Sequence, residues 1–152
     1  RQRIKTGAAP MTIGAILRER TGAVISAGPT DTVRAAVDLL AQNWIGAVPV
    51  VENEKILGIF SERDYARKVI LQGKASKSTK VSEIMTGKVV YVTLNRTVEE
   101  CMAIMTEKHF RHLPVLDDDH NVVGIVSIGD LIKEMISQQK FIIDQLENYI
   151  TG

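Results

Sequence analysis

The chain repeats itself. Val24, Thr32, Val33, Pro49 and Val50 return as Val89, Thr97, Val98, Pro114 and Val115, each 65 positions further on. Gly58, Ile59, Ser61 and Asp64 then return as Gly124, Ile125, Ser127 and Asp130, 66 positions on, because the second copy gains one residue in an acidic turn. A repeat held in register constrains the fold more than any local propensity, since both copies must build the same unit. With 45% hydrophobic residues over 152 positions, the chain has enough apolar material for one compact domain or two small fused ones.

Each copy parses in the same order. A short β-branched run, Ala23 to Ser26 or Lys88 to Thr93, leads into a turn rich in Gly, Pro, Asp or Asn and predicts a strand with its exit. Val33, Ala36, Val37 and Leu40 then fall at helical spacing. Val98, Cys101, Met102 and Met105 do the same behind a Thr97/Glu100 capping box. Apolar strands around Pro49 (Ala47 to Val51) and Pro114 (His112 to Leu116) follow, then acidic turns, Glu52 to Lys55 and Asp117 to Asn121. Second strands return through Ile56 to Phe60 and Val122 to Val126. Ser61 and Ser127 stand at helix N-caps ahead of Asp64 to Leu71 and Asp130 to Ile136.

The unit is β-α-β-β-α, an α/β fold whose single copy leaves one apolar sheet face uncovered, so the copies are expected to cover each other. The expected organisation is a polar, basic extension over 1–10, a first repeat over 11–71, a solvated linker over 72–80, a second repeat over 81–136 and a C-terminal helix over 137–152. Short related segments, Ile13 to Leu17 and Val81 to Met85, precede the repeats and are expected to form helical turns. Along the tail, Ile142, Leu146, Tyr149 and Ile150 form a stripe that needs a partner, in the chain itself or in a second copy.

Nineteen basic and eighteen acidic residues leave a formal charge of +1, too little for a nucleic-acid or anionic-membrane footprint. Lys74, Lys77 and Lys80 are the one local cluster that would argue otherwise. No uncharged stretch approaches the ~20 apolar residues of a spanning helix. One cysteine and no basic-then-apolar opening lead us to expect a reducing, cytoplasmic setting. Cys101 sits on a helical apolar stripe and reads as a structural thiol. Trp44, near a helix end, reads by default as a core residue. His109, His112 and His120 lack zinc-ligand spacing. Neither a P-loop nor a Gly-x-Gly-x-x-Gly string occurs, and no constellation supports catalysis or a catalytic cofactor.

Gly58-Ile59-Phe60-Ser61-Glu62-Arg63-Asp64 and Gly124-Ile125-Val126-Ser127-Ile128-Gly129-Asp130 both fit Gly-h-h-Ser-x-x-Asp, where h is apolar, about a dozen residues before which a Pro-Val pair ends a strand. Two such strings inside a matching repeat resemble the cystathionine-beta-synthase (CBS) domain pair, or Bateman module, over nearly all of Met11 to Ile136. The resemblance implies two CBS repeats related by a pseudo-twofold axis, like small standalone bacterial modules. It further implies an adenosyl ligand (AMP, ADP, ATP, S-adenosylmethionine or NAD(H)) in the clefts between repeats, head-to-head or head-to-tail homodimers, and a downstream protein that reads the ligand state.

The residues suit such a ligand. Asp64 and Asp130 lie in the first turn of a helix, and one carboxylate can accept both ribose hydroxyls. Ser61 and Ser127, three residues earlier, bring a hydroxyl and helix N-terminal amides toward a phosphate. Simple N-capping would account for the same residues. Arg111 and His112 fall where the resemblance implies phosphate-facing basic groups, and arginine's planar fork suits that role. The first repeat has Ile45, Gly46 and Ala47 there, small enough at Gly46 and Ala47 to leave room for a base, so the two sites are not equivalent. Arg63 is either a phosphate contact or a solvent-facing residue. Thr93, Ser26 and the apolar segments around Ile13 and Val81 are implied to line the adenine pocket, mainly through backbone amides, with core or strand-edge roles as the alternative; Ile128 is implied to be a nucleotide-binding residue.

Overall fold

The computed structural model describes residues 11–20 and 23–151, with side chains as far as residue 148. The expected extension over 1–10 lies outside them, as do the side chains of Tyr149 and Ile150. The elements are α1 (Ile13–Arg18), α2 (Val33–Asn43), β1 (Ala47–Glu52), β2 (Lys55–Ser61), α3 (Glu62–Asp64) with a π-helix (Tyr65–Ile70), α4 (Val81–Ile84), β3 (Val92–Thr93), α5 (Val98–Lys108), β4 (His112–Leu116), β5 (Val122–Ser127) and α6 (Ile128–Thr151). This is a mixed α/β chain in which the β-α-β-β-α order appears in full in the second copy and, in the first, with its opening strand reduced to a single bridge.

The repeat persists in small details. Thr32 and Thr97 cap α2 and α5, each accepting from the amide three residues on. Trp44 and His109 close those helices in the left-handed conformation, with φ of 55° and 60°. Such caps contribute about 1 kcal/mol each. The first strand of each copy is shorter than the sequence predicts. Ala27 alone bridges Val50, and β3 has only two residues. In the first copy the bridge falls one residue past the expected run Ala23 to Ser26, and Pro29, which has no amide, keeps the ladder from extending further along the chain. Strands β1 and β2 pair antiparallel, with a bulge at Val50/Val51. Their two-residue loop, Asn53 and Glu54, is left-handed at both positions, the twist a tight hairpin favours. Strands β3, β4 and β5 form a second sheet in that order.

Two compact units emerge, and neither follows the sequence repeats. In one, Ala27, Val33, Ala36, Leu40, Val48, Val50, Phe60, Val69, Val81 and Ile84 form a buried core. Removal of each valine, leucine, isoleucine or phenylalanine side chain from water contributes about 1.5–3 kcal/mol. In the other, Ile13, Val98, Cys101, Met105 and Leu131 are buried, and α5 packs on α6.

The lead-in segments explain the division. The amides of Ile13 and Gly14 in α1 donate to the carbonyls of Arg96 and Leu94 at 2.8 and 2.9 Å, and Val98 donates to Met11. The segment preceding the first copy therefore docks on the turn before α5 in the second. Reciprocally, Val81 and Ser82 of α4 donate to Asp31 and Pro29, on the turn before α2 in the first copy.

Two expectations need correction. The linker over 72–80 is not simply solvated: the amides of Val33 and Arg34 donate to the carbonyls of Thr79 and Ser76 at 2.8 and 2.9 Å, and Thr79 is buried. Helix α2 has unsatisfied amides at its start, and this segment supplies their acceptors. The helix after Asp130 does not stop at Ile136 either. It runs on as the C-terminal helix for 24 residues, because Ser137 to Lys140 contain neither glycine nor proline to end it.

Candidate functional site

The two motif copies share a backbone plan. The amides of Glu62 and Ile128 donate to the carbonyls of Gly46 and Arg111 at 3.0 and 2.9 Å, so the start of each motif helix abuts the strand entry identified in the sequence. Ser61 and Ser127 accept from the amides of Asp64 and Asp130, and each aspartate accepts from the amide of its serine. A reciprocal cap thus forms in both copies.

The surroundings of the two carboxylates differ sharply. Asp64 is 7% exposed. Its Oδ2 accepts from the amide and hydroxyl of Ser61, both at 3.0 Å, and its Oδ1 accepts from Thr86 Oγ1 and Lys68 Nζ, both at 3.1 Å. Lys68 also donates to the Ile84 carbonyl, which ties α4 to the motif helix. Four donors match the roughly four acceptor positions of a carboxylate. Asp130 keeps 35% of its side chain exposed, and its Oδ2 receives the Ser127 amide at 2.8 Å and Arg20 Nη2 at 2.7 Å. Burial pushes the Asp130 carboxyl up. The Ser127 amide, the Arg20 guanidinium and the Ser127 hydroxyl outweigh it and hold the group below the usual carboxylate range.

Of the other expected site residues, Gly46 and Ala47 border the first motif, Ala47 paired with Ser61. Ile128, half-buried, opens α6 beside Arg111, whose side chain is exposed; His112 is half-buried at the start of β4. Arg63 points to solvent beside Asp64. Thr93 turns its hydroxyl to the Asn95 side chain. Ile13 is placed in the core, with its amide bonded to Arg96, so it offers a ligand neither side chain nor amide.

Trp44 is not a core residue: it is 94% exposed, because its left-handed cap position turns it off the apolar face of α2. Cys101 is fully buried, and burial, with Glu100 nearby, pushes its thiol up to about 11, which leaves no reactive thiolate at neutral pH. Among the described residues, no group of three or more His, Cys, Asp or Glu side chains is placed to hold a metal, and no helix is long and apolar enough to cross a membrane.

Sequence reasoning missed Arg20, Lys68 and Thr86. Lys68 was readable, since it lies one helical turn beyond Asp64. Arg20 and Thr86 reach their partners from the swapped lead-in segments, which no local pattern reveals.

Known proteins match this architecture. The CBS domain sequence profile fits residues 15–70 and 81–137. The mitochondrial CBS domain-containing protein CBSX3 of Arabidopsis thaliana is 42% identical over 80% of this chain; the match spans only 61% of that protein's length. A solved CBS-domain protein from Burkholderia ambifaria is 46% identical, with a TM-score of 0.79, covering 85% of this chain and 96% of its own. The CBS domain pair of protein MJ0100, solved with 5′-methylthioadenosine and S-adenosyl-L-methionine, is 26% identical with a TM-score of 0.76, covering 86% and 99%. Duplicated motif, reciprocal docking and these likenesses together place the chain in the CBS-domain family, as a protein carrying two copies of the domain.

Proposed function

We propose that this chain is a non-catalytic regulatory module. It binds an adenosine-containing ligand of the AMP, ADP, ATP, NAD(H) or S-adenosylmethionine class through its Ser-x-x-Asp motif, and a change in geometry passes the event to a partner protein. One observation carries the reading: a motif carboxylate, Asp130, stands in the first turn of a helix with its side chain partly open to solvent. An ionised carboxylate there can accept two ribose hydroxyls, and the helix start favours a nearby phosphate. The MJ0100 structure, whose two ligands both contain adenosine, supports the same class. A ligand that fits one geometry better than another shifts the population between them, and nothing need be turned over.

We further infer a homodimer, supported by the apolar residues that α6 leaves exposed. A reducing, cytoplasmic setting is supported by the single, buried thiol. The competing reading is a constitutive scaffold, favoured by the complete internal satisfaction of Asp64. Thermal melts of ligand-free protein with AMP, ADP, ATP, NAD, NADH and S-adenosylmethionine separate the two. Binding to the folded state raises the melting temperature, by mass action, with ligand concentration. We expect such a rise for at least one compound; no rise with any of them leaves the scaffold as the better account.

A further inference from the structure

We propose that the two motif copies have parted in role. Asp64 is an internal structural lock, while Asp130, partnered by Arg20, is the one working grip per chain, selective for adenosine bearing a 5′-phosphate. This inference rests on the proposed adenosine-binding function and assigns it a site, a stoichiometry and a chemical preference.

The two copies diverge four residues beyond each aspartate. After Asp64 that position is Lys68, whose ammonium reaches the carboxylate from the same helix; after Asp130 it is Glu134, which would only repel it. Lys68 and Thr86 fill the Oδ1 side of Asp64, and Ser61 fills the Oδ2 side. A ribose arriving there would have to displace a charge-assisted bond and a hydroxyl inside a nearly closed environment, leaving Lys68 without its counter-charge. The Asp64 cluster is complete without a ligand.

Asp130 is arranged for exchange. Its Oδ2 receives the Ser127 amide and Arg20, while 35% of the side chain stays open to solvent. Its cation comes from a separate segment and is itself 41% exposed, so the pair is open to water on both sides. Exposed ion pairs yield readily to competing partners. As ribose hydroxyls bond to Asp130, the Arg20 fork can turn part of its donor edge to the ligand's phosphate, keeping its charge paired throughout. A second observation points to the same ligand. Arg111, whose carbonyl receives the first amide of α6, has an exposed cationic side chain where the first copy has Gly46. At Asp64 the cation that reaches the carboxylate is Lys68 and Arg63 turns to solvent, whereas Arg20 and Arg111 both belong to the Asp130 unit. That charge favours AMP, ADP or ATP over neutral 5′-methylthioadenosine or cationic S-adenosylmethionine.

Isothermal titration calorimetry with AMP and with 5′-methylthioadenosine tests this on the full chain. AMP is expected to bind wild type at about one per chain. Asp130→Asn should weaken AMP about tenfold or more, as loss of a charged hydrogen-bond acceptor does. Arg20→Gln should weaken AMP by a similar factor and leave 5′-methylthioadenosine within about threefold. Asp64→Asn should lower the melting temperature yet leave AMP affinity within about threefold; Lys68→Met gives the same reading where Asp64→Asn does not fold. Two AMP per chain, an Asp64→Asn or Lys68→Met loss as large as that of Asp130→Asn, or an Arg20→Gln protein that binds AMP normally each overturns the inference while adenosine binding itself stands. Wild-type protein that binds no compound of the adenosine panel overturns the proposed function, and this inference with it.

Discussion

Asp64 and Asp130 occupy one position in a repeated motif and share the same serine cap, yet one is sealed and the other open. The sequence offered both as ribose grips, because spacing fixes the cap. It does not fix which cation arrives from elsewhere. For Asp130 that cation has a measurable signature. Its carboxyl is held below the usual range when the chain is folded and returns to about 3.8 when it unfolds. A depressed folded-state value stabilises the fold at pH above the unfolded value, and this contribution is lost as pH falls through the folded one. The wild-type advantage over Asp130→Asn in thermal melts should therefore be present at pH 7 and shrink progressively as the pH falls below the usual carboxylate range. A gap that stays constant across that window would mean that the pair with Arg20 adds nothing to stability. Because Asp130 is more than a third exposed, raising the salt concentration should narrow the gap at pH 7 as well.

At the level of elements, close approach sets the tolerances. Strand β2 runs against the segment after α4, where Ile59 and Thr86 exchange two backbone hydrogen bonds at 3.0 and 2.9 Å. A Cβ on Gly58 would lie 2.7 Å from the Thr86 carbonyl oxygen and 2.9 Å from the Met85 sulfur. The thioether can move; the carbonyl cannot without breaking the pair and drawing Thr86 off Asp64. Gly58→Ala should therefore cost about 1–3 kcal/mol in urea unfolding, the range for overpacking a tight site. Gly129, in the first turn of α6, is the control. Its added Cβ would meet only Ser127 Oγ, at an ordinary 3.6 Å, so Gly129→Ala should be neutral or stabilise by up to about 1 kcal/mol. Equal losses at both sites would show that the Thr86 approach is not tight. Glycine at the head of the motif thus reads as a requirement of the docked α4 segment. The motif string in the sequence shows the glycine but not the neighbour that demands it.

For the molecule as a whole, the element order and the family were legible because the repeat states them twice. The units were not, because α1 and α4 each pack on the other copy through backbone hydrogen bonds that carry no side-chain code. The tail was legible as an amphipathic helix: Ile142 and Leu146 of the expected stripe are exposed, and exposed apolar residues continue toward the start of α6. Ile132, Ile136, Ile143 and Leu146 are all exposed and, at about 100° per residue, fall within one narrow face of α6, whereas Phe141 lies opposite. A 24-residue helix extends about 36 Å, so the stripe is long enough to meet a second copy of itself along several turns. Within one chain of 16.8 kDa these four side chains stay wet, and an apolar stripe of that kind, interrupted by Gln139, favours association. Light scattering coupled to gel filtration should therefore give twice the chain mass for wild type. The pair Ile136→Glu and Ile143→Glu, which places two charges at the centre of the stripe and touches no buried side chain, should give the single-chain mass with an unchanged circular dichroism spectrum. A dimer that survives both glutamates would place the contact on another face of the molecule and leave the stripe without a role in assembly.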